Sequence, residues 1–222
     1  MMALAFSGGK DSMACLHLMR GQLDCAIYVD TGYGYPETQA MVDYAATLLP
    51  VHRVRVDRAA QHRENGLPSD IVPINWTKIG QQMTGPKRTM VQSYLQCCYE
   101  NLARPLLNMA HELGVTYLVY GQRNDETHKN PAKDGDYIEG MVRVHPIETW
   151  TAQEVLGYLE TKMDIPAHYA IEHSSLDCYD CTAYRDESQD RLDWTLTAHP
   201  DFYHAYHNRA VELEQCLEVA HG

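Results

Sequence analysis

The chain is 222 residues long, which is enough to bury the core of one full domain. Its hydrophobic content of 45% and charged content of 22% are typical of a globular protein. The formal net charge of −12 argues against broad binding to nucleic acid, although a local basic pocket can still bind an anionic nucleotide. Because the sequence has no apolar run of the roughly 18 residues that a membrane span needs, and no signal-peptide pattern, we expect a cytoplasmic protein without a membrane partner.

Cysteine usage points away from disulfide bonds. The seven cysteines are Cys15, Cys25, Cys97, Cys98, Cys178, Cys181 and Cys216. An odd number in a chain without an export signal does not fit a disulfide framework, and it directs attention to metal binding or catalysis. Cys15 and Cys25 lie within apolar runs, so we expect both to be small buried side chains.

A glycine turn between a strand and a helix is the most informative stretch of the N-terminal region. Residues 3–6 form a short apolar run that predicts a buried strand, and the apolar spacing from Met13 to Met19 predicts a helix. Gly8 and Gly9 let the backbone turn sharply and present N–H groups beside the positive end of the helix dipole. The sequence therefore predicts a phosphate-binding loop made of Ser7, Gly8, Gly9, Lys10, Asp11 and Ser12.

Polar and glycine residues also follow the second predicted strand, residues 25–29. Ligands bind at the carboxyl ends of strands in open parallel sheets, so we expect Asp30, Thr31 and Gly32 to face a nucleotide. A helix is predicted over 36–49, where a proline suits the first turn.

The remaining elements are predicted from apolar periodicity and turn residues. An alternating strand over 52–56 is expected near the edge of the sheet. Residues 57–90 are rich in glycine and proline and are expected to be loop with short helical pieces. A long helix over 91–113 should be kinked or divided by Pro105, and strands are predicted over 117–120 and 141–144.

The order of these elements predicts the fold class. Thr151 and Glu154 have the spacing of a helix capping box, and a polar helical tail is expected at the carboxyl end. Strands that alternate with helices predict an α/β fold with a three-layer, Rossmann-like parallel sheet. We expect a nucleotide-binding domain over residues 1–185 and a helical C-terminal tail over residues 186–222.

Four motifs resemble those of known proteins. S-G-G-K-D-S at residues 7–12 resembles the PP-loop of the ATP pyrophosphatase and adenine nucleotide α-hydrolase superfamily. Three further motifs resemble the sulfonucleotide reductases, which act on adenylyl sulfate (APS) or phosphoadenylyl sulfate (PAPS): D-T-G-Y-G-Y-P-E-T at 30–38, G-Q-R-N-D-E at 121–126 and V-H-P-I-E-T-W-T at 144–151. The resemblance covers residues 3–182 and implies the adenine nucleotide α-hydrolase-like fold, with Gly121 and Arg123 at the substrate and Arg123 on its sulfate.

The cysteine pattern adds to this resemblance. Cys97-Cys98 followed by Cys178-x-x-Cys181 is similar to the arrangement that holds a 4Fe-4S cluster in the iron-sulfur members of the family. Four thiolates suit such a cluster or, less favoured here, tetrahedral zinc. Alternatively, Cys97 and Cys98 are packing residues, and the C-x-x-C is a dithiol pair or half of a zinc site. Adjacent helical residues point about 100° apart, so a shared cluster at Cys97 and Cys98 requires an unusual local geometry.

Two features depart from the family pattern. The reductases usually carry a modified phosphate loop, whereas the loop here is intact, as in relatives that cleave ATP. The family's catalytic cysteine lies in an E-C-G-x-H motif, but this tail reads E-Q-C-L-E-V-A-H, which places Cys216 and His221 at a different spacing. Cys216 is therefore either a displaced catalytic nucleophile, with His221 as its histidine, or a core cysteine of a terminal helix.

The resemblance implies three alternative functions. The first is thiol-dependent reduction of APS or PAPS to sulfite, with a thioredoxin or glutaredoxin-type protein as reductant. The second is ATP cleavage with Mg²⁺, in which Asp11 is a candidate metal contact and an acceptor is adenylated for sulfur transfer to DNA or tRNA. The third is a non-catalytic nucleotide-binding subunit similar to the small subunit of ATP sulfurylase. A homo-oligomer is compatible with all three.

Overall fold

The computed structural model describes residues 1–85, 90–126, 130–170, 176, 178–183 and 189–221, with side chains up to residue 219. Contacts between Cα atoms divide the chain into two compact units. The first unit comprises Met1–Asp30, Gly34–Arg55 and Pro105–Leu176, and the second comprises Thr31–Tyr33, Val56–Arg104 and Asp177–Gly222.

The strands and helices follow in chain order. The strands are β1 (Met2–Ala5), β2 (Cys25–Asp30), β3 (Val51–Arg55), β4 (Leu67–Ser69), β5 (Val91–Ser93), β6 (Tyr117–Val119), β7 (Tyr137–Ile138) and β8 (Met141–Val144). The helices are α1 (Lys10–Met19), α2 (Pro36–Ala46), α3 (Arg58–Asn65), α4 (Lys78–Thr84), α5 (Tyr94–Cys98), α6 (Arg104–Glu112), α7 (Ala152–Glu160), α8 (Gln189–Ala198) and α9 (Pro200–His221). Ile74–Trp76 and Ala167–Ala170 are 3₁₀-helical, and Tyr99–Ala103 is π-helical.

The first unit is built on one sheet. Its order among the described residues is β3-β2-β1-β6-β8-β7, with β7 antiparallel to β8 and the other neighbours parallel. The five predicted strands of this sheet are confirmed, and so is the position of β3 at an edge. The short strand β7 was not predicted, because two residues carry no readable periodicity.

Helices cover both faces of this sheet, which explains its continuous apolar runs. Leu4 packs in a cluster with residues of α1, α2 and α7, whereas its neighbour Ala3 packs with Ala110 of α6. Neighbouring residues of a strand point to opposite faces, so these two clusters form the inner layers of a three-layer unit. Cys15 and Cys25 are fully buried, as predicted.

The second unit contains a small parallel sheet that corrects one prediction. Residues 91–93 were expected to begin a helix, but they form β5, which pairs with β4. The pairing depends on Gly66, whose φ is +87° and where a Cβ atom would lie 2.3 Å from the carbonyl carbon of Met90. Tertiary contact through a glycine therefore decides the conformation of this segment.

The predicted long helix begins at Tyr94 and changes type before Pro105. It runs through α5, the π-helical turn Tyr99–Ala103 and α6. Proline has no N–H to donate and its ring crowds the preceding turn, which favours a wider turn at this point. The predicted disturbance at Pro105 is thus present as a π-helical segment rather than a break.

The carboxyl-terminal tail is helical, as predicted. Its helices α8 and α9 belong to the second unit, where α9 packs on β5. A domain boundary after residue 185 stays a prediction, and the contacts group the tail with residues 56–104. Within the described ranges, no helix combines the length and the apolar character needed to span a membrane.

Candidate functional site

In the phosphate loop between β1 and α1, side-chain hydroxyls accept hydrogen bonds from the backbone of the loop itself. The Ser7 hydroxyl accepts a hydrogen bond from the Gly9 N–H at 3.2 Å, and the Ser12 hydroxyl accepts one from the Ser7 N–H at 3.3 Å. Gly8 has a φ of +81°, and a Cβ atom there would lie 2.7 Å from Cγ2 of Thr38. Only glycine fits this turn, so the loop has the compact shape that the motif predicts.

The chain that leaves β6 passes against the first turn of α1. A Cβ atom on Gly121 would lie 2.6 Å from the carbonyl carbon of Asp11 and 2.7 Å from the Ser12 nitrogen. A glycine is therefore required at this position. Because of this close approach, Arg123, two residues further along the chain, lies next to the phosphate loop.

Arg123 and Lys10 bring two buried positive charges to the loop. Arg123 is 6% exposed and pairs with the Asp11 carboxylate, and its Nε donates to Oδ1 of Asp125 at 2.8 Å. The Lys10 ammonium, 3% exposed, donates to the other oxygen of Asp11 at 3.1 Å. Glu126 lies 3.7 Å from Arg123, and burial together with the charge of Asp11 raises the pKa of Glu126.

Tyr169 also reaches the loop, from the 3₁₀ turn Ala167–Ala170. Its hydroxyl accepts a hydrogen bond from the Lys10 N–H at 2.7 Å. Tyr169 is 5% exposed, and burial raises its pKa above the ordinary value for a tyrosine. No sequence signal relates residues 159 positions apart, so sequence reasoning missed this contact.

The residues after β2 fall in different units. Asp30 ends β2 in the first unit, whereas Thr31 and Gly32 belong to the second. The Thr31 hydroxyl accepts the Tyr33 N–H at 3.3 Å and lies 3.5 Å from Sγ of Cys178. Gly32 has a φ of +77°, which explains the glycine after this threonine.

The four cysteines of the predicted metal set lie in the second unit. Cys97 and Cys98 end α5, directly before the π-helical turn. Cys178 and Cys181 close a turn in which the Cys181 N–H donates to the Cys178 carbonyl at 3.0 Å. The pKa of Cys97 is raised to about 11, mainly by burial; Arg58 acts to lower it and Cys178 to raise it.

Two residues beside these cysteines were missed by sequence reasoning. Arg58 is 2% exposed, pairs with the buried Asp180 and stacks on the Tyr33 ring at 3.7 Å from its centroid. Nε2 of His62 lies 3.2 Å from Sγ of Cys97, and burial followed by the charge of Arg58 lowers the pKa of His62 to about 3. Both residues fall in the segment predicted as loop, which gave no signal of a site.

The cysteines have the donor chemistry for a four-thiolate site but are not gathered into one. Two thiols come from one helix end and two from one turn of the same unit, which suits an iron-sulfur cluster or zinc. Across the described stretches of the chain, no three His, Cys, Asp or Glu side chains are grouped so as to hold a metal ion. The ligand set therefore stays a prediction.

The predicted catalytic pair lies on α9. Cys216 is 8% exposed and packs in an apolar cluster with Leu67, Val91 and Leu213. This environment is that of a core cysteine, and it does not favour a thiolate. His221 is the last residue of α9, and its side chain lies outside the described part of the chain.

Comparison with known proteins identifies the family. A sequence model described as "Phosphoadenosine phosphosulfate reductase domain" matches residues 1–184, which include the phosphate loop, Arg123 and the four cysteines. The chain belongs to this family.

A curated relative supports this assignment, and a solved structure supports the fold. The phosphoadenosine 5'-phosphosulfate reductase of Alkalilimnicola ehrlichii is 27% identical over 168 residues. The match covers 74% of this chain and 62% of the relative, so the chain spans less than two thirds of the relative's length. The crystal structure of phosphoadenylyl-sulfate reductase from Candida auris, a phosphate complex, is similar with a TM-score of 0.53 at 16% identity, covering 82% of each chain. This similarity confirms the predicted adenine nucleotide α-hydrolase-like fold.

Proposed function

We propose that the chain is a sulfonucleotide reductase that releases sulfite from APS or PAPS with a thiol reductant. The observation that carries the proposal is the pair of buried cations, Lys10 and Arg123, at the phosphate loop of a member of this family. Positive charge beside backbone donors at a helix N-terminus favours an anionic group.

Each predicted binding residue has a role in the proposal. The loop residues Ser7, Gly8, Gly9, Lys10, Asp11 and Ser12 bind the anionic end of the substrate. Arg123 binds the sulfate, and Gly121 allows the close approach that positions Arg123. Asp30, Thr31 and Gly32 contact the adenosine side, as the family resemblance implies.

In the proposed reaction the thiolate of Cys216 attacks the sulfur atom of the substrate. The sulfur–oxygen bond to the nucleotide phosphate breaks, which releases AMP from APS or adenosine 3',5'-bisphosphate from PAPS and leaves an enzyme thiosulfonate. A thiolate of thioredoxin or glutaredoxin then attacks Sγ of Cys216 and releases sulfite. Its second thiol completes a disulfide, so the dithiol supplies both electrons. His221 is the accompanying catalytic histidine.

This role requires Cys216 to leave its apolar cluster, because a buried thiol does not ionise readily. Replacing Cys216 with alanine should abolish sulfite release. Cys25→Ala removes another buried thiol, one that lies in strand β2, and should leave release unchanged. Full activity of Cys216→Ala would assign Cys216 to the core and exclude it from the reaction.

We further propose a 4Fe-4S cluster on Cys97, Cys98, Cys178 and Cys181. When bound, the cluster would adjust local electrostatics rather than carry electrons, as the family resemblance implies. Iron and acid-labile sulfide in anaerobically purified protein, reduced in Cys97→Ala but not in Cys25→Ala, would support the cluster. Zinc in place of iron would support the alternative metal.

The decisive experiment measures sulfite from APS and from PAPS, using anaerobically purified protein with thioredoxin and thioredoxin reductase. Sulfite from either nucleotide is the expected result, and the preferred nucleotide would establish whether a 3'-phosphate is recognised. Absence of sulfite from protein with a full complement of metal would contradict the proposal.

The intact phosphate loop favours a second candidate, an ATP pyrophosphatase that uses Mg²⁺. Its S-G-G-K-D-S residues are those of relatives that cleave ATP, and the loop has the compact turn that this motif predicts. Release of pyrophosphate from ATP, with no sulfite from APS or PAPS, would support this candidate instead.

A further inference from the structure

The hydrogen bond between the Lys10 N–H and the Tyr169 hydroxyl differs from the other contacts of the phosphate loop. The N–H groups of Ser7 and Gly9 donate to hydroxyls of the loop itself, and the Lys10 ammonium pairs with the adjacent Asp11. Tyr169 instead comes from a distant part of the same unit. The loop motif alone does not encode this contact.

The hydroxyl stands where a ligand oxygen would bind. Lys10 is the first residue of α1, so its N–H belongs to the group of donors that has no partner within the helix. Such donors are the ones that helix N-termini offer to phosphate. At 2.7 Å the Tyr169 oxygen takes this donor, and a phosphate oxygen can reach the same N–H only by displacing the hydroxyl.

Tyr169 is held in place by its surroundings. It is 5% exposed, its ring lies 5.9 Å from the Lys10 ammonium, and it lines an apolar depression beside Gly8 together with Met41 and Leu159. Displacing the hydroxyl would therefore require movement of a buried side chain. A ligand that does not need the Lys10 N–H avoids this cost.

We propose that Tyr169 determines which anionic groups the loop accepts, by withholding the Lys10 N–H from the ligand. A single terminal sulfate or phosphate is served by the remaining donors of the loop and by Arg123. A pyrophosphate or triphosphate carries more charge and more oxygens, and it needs the further donor that Tyr169 occupies. The inference rests on the proposed function, because it explains how an intact phosphate loop can select a sulfonucleotide over ATP.

The test compares the wild-type protein with Tyr169→Phe, which removes the hydroxyl and keeps the ring. Tyr158→Phe is the matched control, since Tyr158 lies on α7 of the same unit and packs on Trp150. Calorimetric titration with pyrophosphate, ATP and APS gives the affinities.

We expect Tyr169→Phe to bind pyrophosphate and ATP about tenfold more tightly, because a charged oxygen of the ligand then accepts the Lys10 N–H that the hydroxyl no longer covers. Its affinity for APS should stay within about twofold, and Tyr158→Phe should match the wild type. An unchanged ratio of ATP to APS affinity would overturn the proposal.

A second measurement needs no variant and covers the case in which Tyr169→Phe fails to fold. In the wild-type protein labelled with ¹⁵N, the Lys10 amide proton should show no large downfield shift when APS saturates the site, because its hydrogen-bond acceptor is unchanged. A large downfield shift with APS would show that the ligand takes this N–H and would overturn the proposal.

These outcomes are separable from those of the sulfite assay. Sulfite release by a protein whose ATP to APS ratio does not respond to Tyr169→Phe would retain the function and reject the role of Tyr169. The expected change in ratio, without sulfite from any nucleotide, would retain the role of Tyr169 and reject the reductase.

Discussion

Two buried arginines, one in each unit, are neutralised in different ways. Arg58 pairs with Asp180, whose side chain is only 4% exposed. Arg123 pairs with Asp11 at 10% side-chain exposure, but also with Asp125 at 42%. The first arginine is therefore enclosed with its counter-charge, whereas the second keeps part of its counter-charge in contact with water.

This difference separates a structural role for Arg58 from the binding role proposed for Arg123. A carboxylate that reaches water can leave its partner at low cost, so an incoming anion can take its place beside Arg123. Asp180 cannot leave Arg58 without an unpaired charge remaining in the interior. Arg58 thus holds together segments 122 residues apart, while the partly exposed counter-charge of Arg123 is compatible with the proposed binding of the substrate sulfate.

The largest expected effect is on stability, from Arg58→Met. In this variant the buried Asp180 keeps only Arg209, 3.5 Å away and 25% exposed, as a counter-charge, so the free energy of unfolding should fall by about 3 kcal/mol, the lower end of the range for a broken buried pair. The control is Arg53→Met, since Arg53 and Asp43 form an exposed pair with side-chain exposures of 42% and 70%. This control should change stability by about 0–1 kcal/mol in urea unfolding. Equal losses in both variants would remove the distinction between enclosed and exposed pairs.

The next effect is on binding, from Arg123→Met. Loss of the guanidinium removes a charged donor and leaves Asp11 and Asp125 to repel the anion. We expect APS to bind about a hundredfold more weakly, which is roughly 2.7 kcal/mol. Arg20→Met, at the exposed carboxyl end of α1, makes the same change in net charge and should leave affinity within about twofold. If Arg123→Met binds APS as tightly as the wild type does, Arg123 does not bind the substrate.

The strands and the loop around Arg123 can be predicted from the sequence more completely than the residues around Arg58. Most strands of the first unit are apolar or alternating runs bounded by turn residues, and the phosphate loop lies within one short motif, so local patterns are sufficient for these elements. The capping box of Thr151 and Glu154 is confirmed for the same reason.

Contacts that depend on tertiary structure escaped prediction. Strand β5 forms because Gly66 admits the backbone of Met90, whereas in the sequence Val91 fits the helical spacing of the apolar residues that follow it. His62 meets Cys97, and Tyr169 meets Lys10, across large separations in sequence that no periodicity reports. The motifs therefore indicate the phosphate loop, whereas the contact of Tyr169 with the loop and the contact of His62 with Cys97 can be seen only in the folded structure.

A smaller effect is expected from Gly121→Ala, because it disturbs the chain that delivers Arg123. A Cβ atom at 2.6 Å from the backbone of Asp11 forces that backbone to shift, and we expect a loss of about 2 kcal/mol in unfolding free energy. The control is Gly157→Ala within α7, where a Cβ atom would meet nothing within 4 Å. That change should raise stability by about 0.4–1 kcal/mol. If Gly121→Ala were also stabilising, the close approach of the β6 end to α1 would be wrong.

The smallest effect concerns the exposed counter-charge of Arg123. Burial acts to raise the pKa of Asp125, but the hydrogen bond and charge of Arg123 outweigh it and hold this pKa below its ordinary value of 3.8. A lowered pKa means that the charged form stabilises the fold above the ordinary value, and that this stability is lost as the pH falls through the lowered pKa. At pH 7 the free energy of unfolding of the wild type should exceed that of Asp125→Asn by about 0.2–1 kcal/mol. The difference is small because water screens the pair.

Urea unfolding of wild type and Asp125→Asn from pH 7 down to about pH 2.5 checks this prediction. The difference between the two proteins should shrink as the pH falls through the lowered pKa, because the wild type then increasingly carries a neutral side chain at position 125. A difference that persisted at low pH would have another origin than charge. A difference of several kcal/mol at pH 7 would mean that the carboxylate of Asp125 is held as firmly as that of Asp180. Arg123 would then be a structural arginine like Arg58, and the substrate anion would have to bind elsewhere on the loop.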